Sequence, residues 1–240
     1  MGTILNDGPC SLTAVLRGPW SARLERVRMI FWDKFVAQQL SRPSGLIGQF
    51  ILGPVWNKRN AALNDVAFDH LALNPHDRVL EVGFGGGYLL GRMSTVVTGG
   101  CLSGVDVSPA MVAVCEKRFA SLVQSGRLDL KCARAESLPY PDDHFTKVCT
   151  VNSIFYWQSV PQALAEFRRV LRDDGLLMMC FTCKASLEKR GFTRQGVATY
   201  EADDVRYMTE AAGFCGIRIT HNSDKHRAFV CLTGRKEQRA

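Results

Sequence analysis

The stretch Val79-Leu80-Glu81-Val82-Gly83-Phe84-Gly85-Gly86-Gly87 constrains this chain more than any other. An apolar run leads straight into glycines, and a helical pattern follows from Tyr88. Glycine lets the backbone turn sharply and approach a ligand with no Cβ in the way. Strand, glycine turn and helix in that order open a βαβ unit, which belongs to a parallel sheet with crossover helices. Two loop chemistries fail on spacing. A GxGxxG dinucleotide loop needs a small residue three after its second glycine, and that position is Tyr88 or Leu90 depending on the frame. A phosphate P-loop needs Gly-Lys-Ser/Thr, which does not follow. Glu81 also disfavours phosphate, because a carboxylate at the loop mouth repels an anion in a partly buried site. A ligand with cationic groups suits it better.

The rest of the chain repeats the alternation. Strands are predicted at Arg78–Val82, Cys101–Asp106, Leu128–Cys132, Lys147–Val151 and Leu176–Phe181, and helices at Tyr88–Val97, Pro109–Leu122 and Val160–Leu171. Ser108 before Pro109 is a helix N-cap with proline at the first helical position. After a helix at Ala202–Ala212, Ile217–His221 and Ala228–Thr233 read as a strand pair. Before Pro75 the texture differs. Residues 1–19 form a loose arm, and helices are predicted over 21–40, 45–56 and 58–73. Asp106 ends the second strand, 19 residues past Gly87. A carboxylate there can accept from ribose hydroxyls.

With these motifs in place, the chain resembles the class I S-adenosylmethionine-dependent methyltransferases, in the small-molecule branch that includes ubiquinone and menaquinone methyltransferases. The resemblance covers about residues 75–235 and rests on five motifs in the family's order. They are the glycine loop at 79–87, Gly104–Met111, Ala135–Asp142, Asn152–Trp157 and Arg168–Gly175. It implies a Rossmann-like, doubly wound α/β fold. The sheet is seven-stranded and mostly parallel with an antiparallel last strand, and an N-terminal helical lid covers it. Residues 1–74 form the arm and lid, and 75–240 the core. S-adenosylmethionine is the implied cofactor. Its sulfonium and ammonium match the reading of Glu81. The implied contacts are Glu81, Gly83, Gly85 and Gly87 at the methionine end, Asp106 on the ribose, Val107, Met111, Ala135 and Glu136 at the adenine, and Asn152 near the methyl. Two positions depart from the family. Arg134 stands where Asp often precedes Ala135, and Thr146 where Asp often follows Phe145.

Tyr156 and Trp157 follow the fourth strand at the carboxyl edge, where ligands bind in such sheets, and are candidates for the acceptor pocket. Asn57 and Asn60 share a helix face and are further candidates. No catalytic base is identified. His70, His76, His144, His221 and His226 read as solvated or structural. The pairs Asp142-Asp143 and Asp173-Asp174 read as solvated turns, so a metal-independent reaction is expected. The charge of +7 is uneven, with 8 basic against 5 acidic residues over 1–75 and 11 against 7 over 184–240. No Lys/Arg run accompanies it, so a small-molecule acceptor is expected rather than nucleic acid. The basic helix at 21–40 suits a lid or a membrane surface, and Trp32 and Phe35 favour the lid. Nine scattered cysteines read as reduced thiols in a cytoplasmic chain. The competing functions are a nucleic-acid or protein methyltransferase and a catalytically silent S-adenosylmethionine-binding partner. Acceptor and oligomeric state are left open.

Overall fold

A computed structural model describes residues 60–189 and 198–237. The predicted helices over 21–40 and 45–56, and Asn57, lie outside the described residues. The elements are α1 Ala61–Leu71, β1 Arg78–Val82, α2 Tyr88–Met93, β2 Cys101–Asp106, α3 Pro109–Arg118, α4 Ala120–Gln124, β3 Leu128–Cys132, β4 Phe145–Val151, α5 Val160–Val170, β5 Leu171–Thr182, α6 Lys184–Lys189, α7 Ala202–Ala211, β6 Phe214–Ser223 and β7 Ala228–Lys236. A 3-10 turn covers Ile154–Tyr156. Among the described residues no helix is long and apolar enough to cross a membrane.

The seven strands form one sheet in the order β3-β2-β1-β4-β5-β7-β6. The first five pair in parallel, and β7 pairs antiparallel with both β5 and β6. The chain moves outward from β1 through β2 to β3, then returns to the other side of β1 with β4. The carboxyl ends of β1 and β4 therefore diverge into opposite crossovers. That crevice is where ligands bind in open α/β sheets.

Burial explains the order. Four of the five residues of β1 are buried, and so are the first six of β4, so both strands are covered on both faces. One face packs Leu80, Val148, Leu177 and Leu232 against Leu164 and Phe167 of α5 and Val205 of α7. The other packs Val79, Met178 and Phe229 against Leu63, Ala67 and Leu71 of α1 and Leu89 and Met93 of α2. The helix starts follow their caps. Ser108 Oγ accepts from the Met111 N–H at 3.4 Å, and Ser159 Oγ accepts from Gln162 at the same distance. The helix predicted over 109–122 breaks at Phe119 into α3 and α4.

The amino edge is held by buried ion pairs. Lys147 Nζ donates to Asp77 Oδ2 at 2.7 Å and to the Ala72 carbonyl at 2.9 Å. Thr146 Oγ1 donates to Asp77 Oδ1 at 2.7 Å, so this departure from the family pattern serves the strand feet. The aspartate pairs read as solvated are exposed, and each carboxylate also has a cation within reach. Lys236, 1% exposed, donates to the Leu171 carbonyl at 2.6 Å, pairs with Asp143 and lies 3.7 Å from Asp173. Asp142 takes Arg169 at 2.9 Å, and Asp174 takes Arg235 at 3.4 Å. Sequence proximity does not reveal these partners, because the cations come from α5 and β7.

Hydrogen bonds from Lys147, Asn74 and Thr146 hold the Asp77 carboxyl below its ordinary range despite burial. A lowered folded-state value stabilises the fold above the ordinary aspartate range and is lost as pH falls through it. Lys147→Met should therefore cost about 3 kcal/mol at pH 7, by stranding a buried charge. Urea unfolding at pH 7 and pH 3 tests this, and the deficit relative to wild type should shrink at the lower pH.

Candidate functional site

The site grows from the end of β1. Three loop glycines take left-handed backbone, Gly83 at φ 77°, Gly85 at φ 51° and Gly87 at φ 70°. The Gly83 N–H donates to the Val105 carbonyl at 2.8 Å, which carries the ladder to β2 one step further. The Gly85 N–H then donates to Asp106 Oδ2 at 2.9 Å, and the Ser108 N–H donates to Oδ1 at 2.9 Å. Asp106 thus fastens the loop to the start of α3. Gly83 and Gly85 are glycine for different reasons. A Cβ on Gly83 would lie 2.5 Å from the Ser153 Cβ, so the turn after β4 packs on it. A Cβ on Gly85 would meet nothing within 4 Å. The first glycine admits a neighbour, and the second borders open space.

Two carboxyls lie under this loop. Glu81 is 2% exposed, and its Oε2 has no hydrogen-bond partner among the described residues. Burial and the neighbouring Asp106 charge push it up to about 8, against a hydrogen bond from the Leu90 N–H. Burial also raises Asp106, opposed by its Ser108 and Gly85 bonds. Cys115 Sγ donates to the Gly85 carbonyl at 3.4 Å, and Arg118 donates to that of Gly86 at 2.6 Å. Burial and nearby carboxylates push the Cys115 thiol up to about 12, so it packs and does not react.

The flanking residues divide. Val107 is 42% exposed beside Asp106, while Met111 and Ala135 are buried. Glu136 Oε1 accepts from Gln158 N–H at 2.5 Å and from Ser159 N–H at 3.2 Å. Its side chain caps the start of α5 and positions the 153–159 segment. Within that segment Tyr156 is partly exposed, and Trp157 packs edge-on to Phe167 with ring centroids 5.3 Å apart. Desolvation pushes the Tyr156 phenol up to about 12, so at neutral pH it is a donor and not a base.

Asn152 also takes left-handed backbone, at φ 55°. Its Oδ1 accepts from the Thr182 N–H at 2.9 Å and the Thr182 hydroxyl at 3.0 Å, and its Nδ2 donates to Asn60 Oδ1 at 3.3 Å. Asn60 Oδ1 also accepts from Arg227 at 2.6 Å. Arg227 lies in the β6–β7 turn, pairs with Asp224 at 3.7 Å and is nearly buried. The antiparallel register, with Thr182 opposite Phe229, brings this turn to the carboxyl edge. Its position in sequence gives no such sign. Three histidines lie elsewhere. His70 bridges the Val66 carbonyl and Thr220, His144 stacks on Tyr140 beside Arg78, and His76 lies against Gly99. Among the described residues no group of three His, Cys, Asp or Glu is placed to hold a metal.

A left-handed glycine loop beside open space, two buried carboxyls and a strand-end aspartate with spare lone pairs suit a cationic nucleoside ligand. The comparisons agree. A family model described as a methyltransferase domain matches residues 80–179. An uncharacterized methyltransferase, YdaC of Bacillus subtilis, is 30% identical over 190 residues, covering 78% of this chain and 98% of that protein. The chain belongs to the class I S-adenosylmethionine-dependent methyltransferases. Demethylmenaquinone methyltransferase of Symbiobacterium thermophilum is 33% identical over 128 residues, which span 52% of this chain and about half, 49%, of that relative. A structure of geranyl diphosphate methyltransferase in complex with S-adenosylmethionine shares the fold, with TM-score 0.64 and 13% identity over 81% of this chain and 92% of that one.

Two outcomes follow. Gly85→Ala should weaken S-adenosylhomocysteine binding at least tenfold in calorimetry, at a folding cost of about 1–2 kcal/mol from its positive φ. Gly83→Ala should lower the melting temperature more, because its Cβ strikes Ser153. The raised Glu81 value has the opposite sign from Asp77. The unfolded carboxyl ionises near 4.5 and the folded one near 8, so stability falls as pH rises between them. Glu81→Gln should flatten that slope in melting temperatures taken from pH 5 to pH 8.

Proposed function

We propose that this methyltransferase acts on a small organic acceptor held over the carboxyl ends of β4 and β5 and the amino end of the antiparallel β7, without a metal. The observation that carries the reading is the Gly85–Asp106 tie at the β1/β4 switch point, with open space at the Gly85 Cβ position. Gly83, Gly85, Gly87 and Glu81 then border the methionine end of the cofactor. Asp106 accepts from the ribose, and Val107, Met111 and Ala135 border the adenine. Glu136 acts by setting the loop from Gln158. Of the predicted arm and lid, residues 1–59 lie outside the described residues, and α1 belongs to the core, where Leu63, Ala67 and Leu71 pack on the sheet. Similarity to a demethylmenaquinone methyltransferase supports a small acceptor.

S-adenosylmethionine supplies an electrophilic methyl on a sulfonium. The residues of this chain supply alignment and exclusion of water, which account for much of the acceleration in an in-line displacement. A cation beside Glu81 would draw its raised value back down, so ionisation of Glu81 and binding of a sulfonium or ammonium favour each other. Asn152, held by Thr182, and the aromatic pair Tyr156 and Trp157 border the acceptor. With no base identified among the described residues at the edge, an acceptor that is already a nucleophile or carries an acidic proton suits the site.

Calorimetric titration with S-adenosylmethionine, S-adenosylhomocysteine and NADH tests the reading. Binding of the first two is expected, with no NADH binding and at least tenfold weaker affinity in Asp106→Ala. Binding without labelled-methyl transfer to any small acceptor would favour a silent cofactor-binding partner instead.

A further inference from the structure

Asn60 is the N-cap residue of α1, yet its side chain makes no capping hydrogen bond. Ser108 and Ser159 do cap their helices. An asparagine at this position ordinarily accepts from the first helical turn, worth about 1 kcal/mol. Here the carboxamide turns to the carboxyl edge of the sheet.

Its orientation there is forced. The Thr182 backbone N–H can only donate, so the Asn152 atom facing it is the oxygen. The Asn152 atom facing Asn60 is then the amide nitrogen, and its partner on Asn60 is the oxygen. Arg227 reaches the same conclusion independently, because a guanidinium has no acceptor and donates to that same atom. Two obligate donors, one from β5 and one from the β6–β7 turn, thus agree on the polarity of both amides. With Oδ1 taken twice, the Asn60 Nδ2 hydrogens face away from the network, and they have no hydrogen-bond partner among the described residues. The backbone carbonyl of Asn60 is also engaged, by the N–H and side chain of Asn64.

We propose that Asn60 presents its amide N–H₂ to the acceptor as a fixed hydrogen-bond donor, oriented by Arg227 and Asn152, so that the acceptor carries a carbonyl, carboxylate or oxyanion oxygen beside the methylated atom. The proposal rests on the carboxyl edge being a methyltransferase site. Asn60 is the contact residue. Arg227 is a positioning residue, which acts by denying the amide its flipped state. The placement favours the acceptor over the cofactor, since the Asn60 side chain meets Asn152 just past β4 and Arg227 in the β6–β7 turn. The cofactor loop lies over β1 and β2.

The test uses full-length protein saturated with S-adenosylhomocysteine, and two fragments with the same ring and opposite heads, benzoate and benzylammonium. Binding is read from the Asn60 side-chain amide signal in ¹⁵N-labelled protein, assigned by its loss in Asn60→Asp. Wild type should bind benzoate at least fivefold more tightly than benzylammonium, with the Asn60 signal moving. Asn60→Asp replaces the donor by an acceptor of the same shape and should reverse the preference, with S-adenosylhomocysteine affinity within threefold of wild type. Arg227→Gln leaves only the Asn152 donor to hold the amide and should weaken the preference without reversing it. A benzoate preference retained in Asn60→Asp, or no movement of the Asn60 signal with either fragment, overturns the proposal. So does a tenfold loss of S-adenosylhomocysteine affinity in Asn60→Asp with 5′-methylthioadenosine unaffected, because the donor would then serve the cofactor's carboxylate. Failure of wild type to bind S-adenosylhomocysteine at all would instead strike the methyltransferase reading.

Discussion

The hydrogen bond from the Gly85 N–H to the Asp106 carboxylate, at 2.9 Å, holds together two strand ends that then diverge. β1 turns into the glycine loop there, and β2 turns into α3. A loop of left-handed residues has no ladder of its own, so its backbone groups need outside partners. Asp106 supplies one, and Arg118 and Cys115 take the carbonyls of Gly86 and Gly85. The shape of the glycine loop therefore depends on a carboxylate that is buried, and so kept from water, by the loop it fastens.

The two edges of the sheet handle buried polar groups differently. At the amino edge Asp77, Lys147, Thr146 and Lys236 are matched with near partners, and the matching holds strand feet together. At the carboxyl edge Glu81 keeps an oxygen without a partner, and the carboxyls there sit above their ordinary range. Unmatched groups cost stability, and stability given up at one edge is consistent with a site formed to receive a ligand. The rigid foot lets the open edge keep its shape.

Much of the fold was legible because its causes are local. Short apolar runs predict six of the seven strands to within three residues, β5 begins five residues earlier than predicted, and Ser108-Pro109 marks a helix start that forms as expected. The glycine loop was legible because glycine takes a sharp left-handed turn after a strand at the least steric cost. The partners of charged side chains were not. Asp142, Asp143, Asp173 and Asp174 read as solvated turns, because their cations lie in α5 and β7. Glu136 read as an adenine neighbour by motif, and its carboxylate turned to the backbone of Gln158 and Ser159. Arg227 left no local trace, since only the antiparallel return of β7 carries it to the site.

The sequence by itself determined the parallel α/β sheet, the glycine loop and the class of chemistry, because those follow from periodicity, backbone freedom and motif order along one stretch of chain. Tertiary structure decided which polar atoms meet. Asn60 and Arg227 are 167 positions apart and share one oxygen. Asn60 and Asn152 are 92 apart and fix each other's polarity. A hydrogen bond requires its donor and acceptor to arrive within about 3 Å in the right direction. Only the packed sheet, with its crossover at β1 and its reversed last strand, brings them there.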